Sequence, residues 1–307
     1  MPSPEPAGVR PSWVDDELFP FDSRFVELDG NVVHYIDEGA GPILLMLHGN
    51  PTWSFEYRSL IGSLSDRFRC IALDYPGFGL SAAAPGYRYR PDEHAAVVAA
   101  FIDRLDLSQV TLLAHDWGGP IGLHAAEQRP DRFHRLVLTN TWAWPMNGDL
   151  RVEAASRLMG GLLGRQLIRR FNLFVNAFIP IGHRRRKVSA AEMAHYRAAL
   201  ATPDRRQACA VMPGAILGSR AFLAEVENRL TVLAKLPVLI VWADADVAFG
   251  GKELRRWEAT FPNHTTVVLP GVGHYVASDA PEQLSAAIRS WWAEPATGTN
   301  ASDDGTD

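Results

Sequence analysis

The feature that most constrains this chain is a series of short apolar runs separated by longer amphipathic stretches. Ile43–Leu47, Arg69–Leu73, Val110–Ala114, Leu136–Thr139, Val238–Val241 and Thr265–Leu269 are each four or five residues long and mostly aliphatic. Runs of that kind are the mark of parallel strands buried on both faces. Helical segments, such as Glu93–Leu105 and Gly251–Phe261, separate most of them. Ahead of the series, Arg24–Leu28 and Asn31–Asp37 flank Asp29-Gly30, a dipeptide that favours a two-residue hairpin. A hairpin followed by a βαβ series implies an α/β fold, with a mostly parallel eight-stranded sheet flanked by helices.

One interval breaks the rhythm. Nearly a hundred residues separate the strand ending near Asn140 from the one starting near Val238. Glu153–Phe171 and Ala190–Leu200 within it have a helical pattern, and the stretch is too long for a simple crossover. The expected organisation is a core of residues 21–141 and 231–294, with a helical cap inserted at 142–230. Residues 1–20 are rich in proline and acid and are expected to form an extended arm, whereas 295–307 are expected to be a disordered tail.

Composition excludes several classes. With 307 residues, 47% of them hydrophobic, the chain can bury a sizeable core. The net charge of −5 gives no reason to expect nucleic acid or an anionic membrane as a partner. The sharpest basic run, His183-Arg-Arg-Arg-Lys187, lacks interleaved aromatics and reads as solvated surface. Two cysteines, Cys70 and Cys209, make neither a disulfide framework nor a metal site, and Cys70 reads as a core residue. No metal or cofactor is expected. Gly77-Phe-Gly79 lacks the third glycine of a dinucleotide site. The amino terminus has no apolar signal core, and no run approaches the roughly 20 residues of a membrane span, so a cytoplasmic protein is expected.

The chemistry is concentrated at His115-Asp116-Trp117-Gly118-Gly119, between an apolar strand and a helix-like stretch. Strand, sharp turn and helix form a nucleophile elbow, which usually presents serine in the pattern G-x-S-x-G. Aspartate stands at the reacting position here. A carboxylate is already an anion at neutral pH. It is poor at attacking carbonyls, because it leaves again as easily as it adds, but it is adequate for displacement at a saturated carbon bearing a good leaving group. The product is an ester of the enzyme that water must then cleave. Three further segments follow strands: His48-Gly49-Asn50-Pro51, Trp242-Ala-Asp-Ala-Asp246 and Gly273-His274-Tyr275. In an open α/β sheet they meet at the carboxyl edge, where ligands bind. Nucleophile, acid and histidine then run in the order Asp116, Asp246, His274, as in α/β-hydrolases.

With H-G-N-P, H-D-W-G-G and G-H-Y together, the sequence resembles a haloalkane dehalogenase of the α/β-hydrolase superfamily, over roughly residues 20 to 293 and most weakly in the cap. The resemblance implies that Asp116 displaces halide and becomes an alkyl ester, with Trp117 and Asn50 donating N–H groups to the departing halide. Their backbone N–H groups would form the oxyanion hole for the second step. It implies that His274 takes a proton from water and that a late carboxylate orients it. Thr139-Asn140-Thr141 carries no acid, so that role falls to the loop holding both Asp244 and Asp246, and family spacing favours Asp246. Asn50, Trp117 and a late aspartate together resemble the third dehalogenase subfamily.

Trp142, Trp144, Phe171, Phe174, Phe178 and Ile179 are expected to supply apolar pocket walls, with Met212-Pro213 closing the other side. His48, His115 and His124 read as structural. The implied substrates are a small halogenated hydrocarbon and water, with halide as product. The nearest rival is an epoxide hydrolase, which shares the triad but uses two cap tyrosines; this cap holds only Tyr196. Fluoroacetate dehalogenases follow the nucleophile with arginine, whereas Trp117 suits an uncharged substrate.

Overall fold

The computed structural model describes residues 7–293. The strands are β1 (Arg24–Leu28), β2 (Asn31–Glu38), β3 (Ile43–Leu47), β4 (Arg69–Leu73), β5 (Val110–Asp116), β6 (Phe133–Thr141), β7 (Val238–Ala243) and β8 (His264–Leu269). They form one sheet in the order β1-β2-β4-β3-β5-β6-β7-β8. The pairs β1–β2 and β2–β4 are antiparallel, and all pairs from β4 through β8 are parallel. Asp29 and Gly30 have φ of 49° and 76°, the left-handed pair that a tight hairpin between β1 and β2 requires.

Burial follows position in the sheet. Every residue of β5 and of β7 is buried, whereas the edge strand β8 is mostly half-buried and exposes Thr265 and Val268. The helices outside the long interval are α1 (Arg58–Leu64), α2 (Pro91–Arg104) and α3 (Gly118–Gln128) before it, and α10 (Gly251–Thr260), α11 (Val276–Asp279) and α12 (Pro281–Ala293) after it. Pro91 opens α2, a position whose N–H has no helical partner, and the Glu93 carboxylate accepts the Arg90 backbone N–H. These devices fix where α2 begins.

Between β6 and β7 lie α4 (Leu150–Gly160), α5 (Leu162–Phe171), α6 (Ile179–Gly182), α7 (Ala190–Ala199), α8 (Gln207–Gly218) and α9 (Arg220–Arg229). Asp149 caps α4, and Ser189 with Glu192 forms a reciprocal capping box on α7. Helix α4 packs on α8, where the Ser156 hydroxyl donates to the Pro213 carbonyl at 2.6 Å. Among the described residues, no single helix is long and apolar enough to cross a membrane.

The amino-terminal segment departs from expectation. Residues 7–20 run through turns rather than an extended arm. Phe19 is fully buried, 5.2 Å from the Trp53 ring, and the Asp15 backbone N–H donates to His195 on α7 at 3.0 Å. Removing these aromatic rings from water is favourable enough to fold the segment down. Residues 1–6 and the expected disordered tail at 295–307 lie outside the described residues.

Candidate active site

The carboxyl edge of the parallel strands gathers the chemically distinctive residues. Asp116 ends β5 with φ of +50°, a left-handed conformation that costs a non-glycine residue of the order of 1 kcal/mol or more. Neighbouring contacts hold it there. Its backbone carbonyl accepts from the Thr141 hydroxyl at 2.6 Å, and its carboxylate accepts the Asn50 backbone N–H at 2.9 Å. Close packing forbids side chains around the turn. A Cβ on Gly49 would lie 2.3 Å from that of Asp116, and one on Gly118 would lie 2.1 Å from the Leu47 carbonyl oxygen. Burial pushes the Asp116 carboxyl above its ordinary range, against the opposing pull of His274, His115 and the N–H groups of Asn50 and Trp117.

His274 follows β8. Its Nε2 lies 3.9 Å from Asp116, and its Nδ1 is 2.9 Å from Asp246 Oδ2. Burial alone would lower its pKa, but the carboxylates of Asp246, Asp116 and Glu56 outweigh burial and raise it to about 9. Asp246 also accepts the Ala248 backbone N–H at 2.7 Å and an amide proton from Asn140 at 2.8 Å. These partners hold its carboxyl low against the effect of burial. Of the two candidate acids, Asp246 reaches the histidine. Asp244 is exposed and accepts the Gly271 backbone N–H at 2.6 Å.

Asn140 was not singled out by the sequence, which marked its neighbourhood only for lacking an acid. Its amide accepts the Ala243 N–H at 2.8 Å and donates both to the Ala243 carbonyl and to Asp246. It thus joins the ends of β6 and β7 and aims Asp246 at the histidine. The basic run at 183–187 is also more than solvated surface. Asp279 accepts backbone N–H groups from Arg184, Arg185 and Arg186 at 2.9–3.1 Å, and from Gly273 at 2.8 Å. His183 is buried, stacked 5.1 Å from the Tyr275 ring. The run fastens the long interval to the turn that carries His274, a tertiary use that charge patterning does not reveal.

A cavity of about 600 Å³ opens over Asp116 and His274. Asn50 and Trp117 both line it. Of the expected apolar walls, Trp142, Phe174, Phe178 and Pro213 line it as well. The others do not. Pro213 and Ile216, three residues apart on α8, form its lining face, whereas Met212 is buried elsewhere in the core. Trp144 packs 4.8 Å from Trp257, Ile179 is fully buried, and Phe171 at the end of α5 is 64% exposed. Tyr196 is buried and is not among the lining residues.

An aspartate at the elbow, a histidine beside it and a late acid behind it define an α/β-hydrolase with a carboxylate at the nucleophile position, and residues 42–281 match the family model of the alpha/beta hydrolase fold. The chain is 45% identical over 276 residues to haloalkane dehalogenase 2 of Mycobacterium tuberculosis, spanning 89% of this chain and 96% of that protein. It therefore belongs to the haloalkane dehalogenase family. A cis-3-alkyl-4-alkyloxetan-2-one decarboxylase of Shewanella oneidensis is 32% identical, over 92% of each chain. The solved structure of the haloalkane dehalogenase DbeA from Bradyrhizobium elkani superposes with a TM-score of 0.79 at 27% identity, covering 88% of this chain and 97% of that one.

Proposed function

We propose that the protein hydrolyses haloalkanes to alcohol and halide by the two-step route that the Asp116–His274–Asp246 arrangement supports. A carboxylate of Asp116 attacks the saturated carbon bearing the halogen. The new C–O bond forms as the carbon–halogen bond breaks, and the halide leaves with the electron pair. The Trp117 indole and the Asn50 amide donate to the halide. Being neutral, they stabilise it without cancelling the charge of the nucleophile. Asp116 is now an alkyl ester. His274 takes a proton from water, and the resulting hydroxide attacks the ester carbonyl, whose oxyanion is held by the backbone N–H groups of Asn50 and Trp117. Collapse releases the alcohol and restores the carboxylate. Alkyl halide plus water thus gives alcohol, halide and a proton.

The observation that carries this reading is the pairing of Asp116 with His274 under a cavity that Asn50 and Trp117 also line. The pKa of about 9 at His274 fits the sequence of events. In the resting enzyme the imidazole is protonated at neutral pH and paired with the Asp116 carboxylate. Alkylation removes that negative charge, lowers the pKa of His274 and favours a neutral base at the stage that needs one.

Two readings are separated by the same assay. An epoxide requires donors on the ring oxygen, and Tyr196 is not placed to serve. An oxetan-2-one presents a saturated carbon joined to a carboxylate leaving group, so the relative's activity fits the same nucleophile. A panel of 1-bromo- and 1-iodoalkanes, an epoxide and a cis-dialkyl oxetanone is expected to give halide and alcohol from the first group alone. A folded sample that releases no halide at any chain length would overturn the reading, and carbon dioxide from the oxetanone would replace it.

A further inference from the structure

The buried side of His274 carries a second carboxylate–histidine contact that the proposed reaction does not use. Glu56 lies in a 3-10 turn (Ser54–Tyr57) and is fully buried. Its Oε1 is 3.0 Å from His115 Nδ1, and its Oε2 accepts from the Thr52 hydroxyl at 2.6 Å. His115 is buried beside it, one residue before the nucleophile, and its ring centroid is 4.6 Å from that of His274. Among the described residues neither ring nitrogen of His115 has a hydrogen-bond partner of good geometry, so its 3.0 Å approach to Glu56 is a close polar contact. Burying a carboxylate is costly unless it is paired, so a glutamate retained here, where an apolar side chain would pack at lower cost, needs a reason.

We propose that Glu56, with its partner His115, is a positioning residue for the base: it supplies negative charge beside His274 that persists when Asp116 has become a neutral ester. The inference rests on the two-step reading above. In the resting enzyme, His274 faces three carboxylates, those of Asp246 on the β7 loop, Asp116 on β5 and Glu56 on the turn before α1. Alkylation silences Asp116. Asp246 and Glu56 then share the stabilisation of the imidazolium that forms when water is deprotonated.

The surroundings of Glu56 preserve that charge. Burial would raise its carboxyl, but His115, Thr52 and His274 outweigh burial and hold it at about 2. The phenols of Tyr57, Tyr196 and Tyr275 that face it are pushed upward by burial, so they stay neutral. His48 and His183 are lowered by burial and stay neutral near pH 7. Arg58 and Arg186, the arginines of the neighbouring elements, are both engaged by Glu192. The loss of Glu56 is therefore not compensated from the neighbouring elements.

Glu56→Gln keeps the shape and removes the charge. The His274 imidazole signals, identified by their loss in His274→Gln, are followed by NMR across a pH titration of the resting enzyme. A downward shift of the His274 midpoint by about one pH unit is expected in Glu56→Gln. This measurement needs no substrate, so it stands whether or not haloalkanes are turned over. Transient kinetics with a bromoalkane supply the second arm. The halide burst, which needs only Asp116, is expected to stay within about twofold, whereas steady-state hydrolysis falls by about tenfold and its acid limb moves to lower pH. Glu56→Asp, which restores the charge, is expected to recover part of both shifts. An unchanged His274 midpoint in a folded Glu56→Gln protein would overturn the proposal. So would burst and hydrolysis falling together with the pH profile unmoved, because that pattern marks a packing defect. Absence of a burst in the unmutated protein, with the midpoint shifted as expected, would instead reject the dehalogenase reading and leave the placement of Glu56 standing.

Discussion

The strand edge and the cap meet at one cavity but are held by different physics. At the edge, Asp116, Asn140, Asp246 and His274 are tied to one another and to backbone groups by hydrogen bonds of 2.6–3.1 Å, most of them buried or partly buried. In the cap, Leu150, Leu158, Leu162, Leu163 and Phe171 are all at least 64% exposed. Its lining residues Phe174 and Phe178 stack on each other, 4.7 Å apart. Under the proposed function, the contrast assigns chemistry to the hydrogen-bonded edge, where displacements of a fraction of an ångström matter, and selection to the cap, where apolar contact is non-directional. Each test below opposes the two regions.

The largest expected effect is at the edge. In His274→Phe, turnover is expected to fall by about 10⁴-fold or more, while one equivalent of halide is still released. Intact-mass measurement should then find the alkyl group on Asp116. A variant that shows neither burst nor adduct would mean that the histidine is needed for displacement itself, and the two-step division of labour would fail.

A smaller effect separates the neighbouring acids. Asp246→Asn leaves the shape intact but removes the charge that orients His274 and stabilises its imidazolium, so a loss of about 10³- to 10⁴-fold is expected. Asp244→Asn weakens only a loop contact to Gly271 and is expected to stay within about twofold. Comparable losses in both would show that the loop acts as a unit and that the two acids are not distinct.

The pH dependence of stability sharpens the same point. His274 has a folded pKa of about 9, above its ordinary 6.5. A group raised on folding contributes stability that is fully present below the unfolded pKa and is lost as pH rises through the folded value. The Tm advantage of the unmutated protein over His274→Phe is therefore expected to be greatest near pH 6 and to shrink between about pH 6.5 and 9. A difference in Tm that is constant over this window would show that the carboxylates around His274 do not stabilise its charged form.

The same division explains what the sequence revealed. Buried parallel strands announce themselves as continuous aliphatic runs, and the loops that follow them converge by topology, so Asp116, Asn50, His274 and the loop holding Asp244 and Asp246 could be placed from order, while the preference for Asp246 came from the family resemblance. Asn140 and Glu56 could not. Their partners lie far away in sequence, at Asp246 and His115, and neither belongs to a local motif. In the cap, an apolar residue on a helix reads the same whether it faces a cavity, the core or water. Phe174, Met212 and Phe171 met those three fates, and only tertiary packing distinguishes them.

The smallest effect on chemistry is expected in the cap. Phe174 lines the cavity from the turn between α5 and α6 and touches none of the triad residues by hydrogen bond. Phe174→Ala enlarges the apolar wall and removes contact area from a bound alkyl chain. Each methylene that loses its wall forfeits of the order of 1 kcal/mol of binding. KM for a short bromoalkane is expected to rise by roughly tenfold with the halide burst rate at saturation within about threefold, and the optimum chain length should move upward. Phe171→Ser, three residues away and outside the cavity, is the control and should change neither value. If Phe174→Ala instead lowers the saturated burst rate as strongly as it raises KM, the cap takes part in holding the reacting carbon, and the separation between a chemical edge and a selecting cap does not hold.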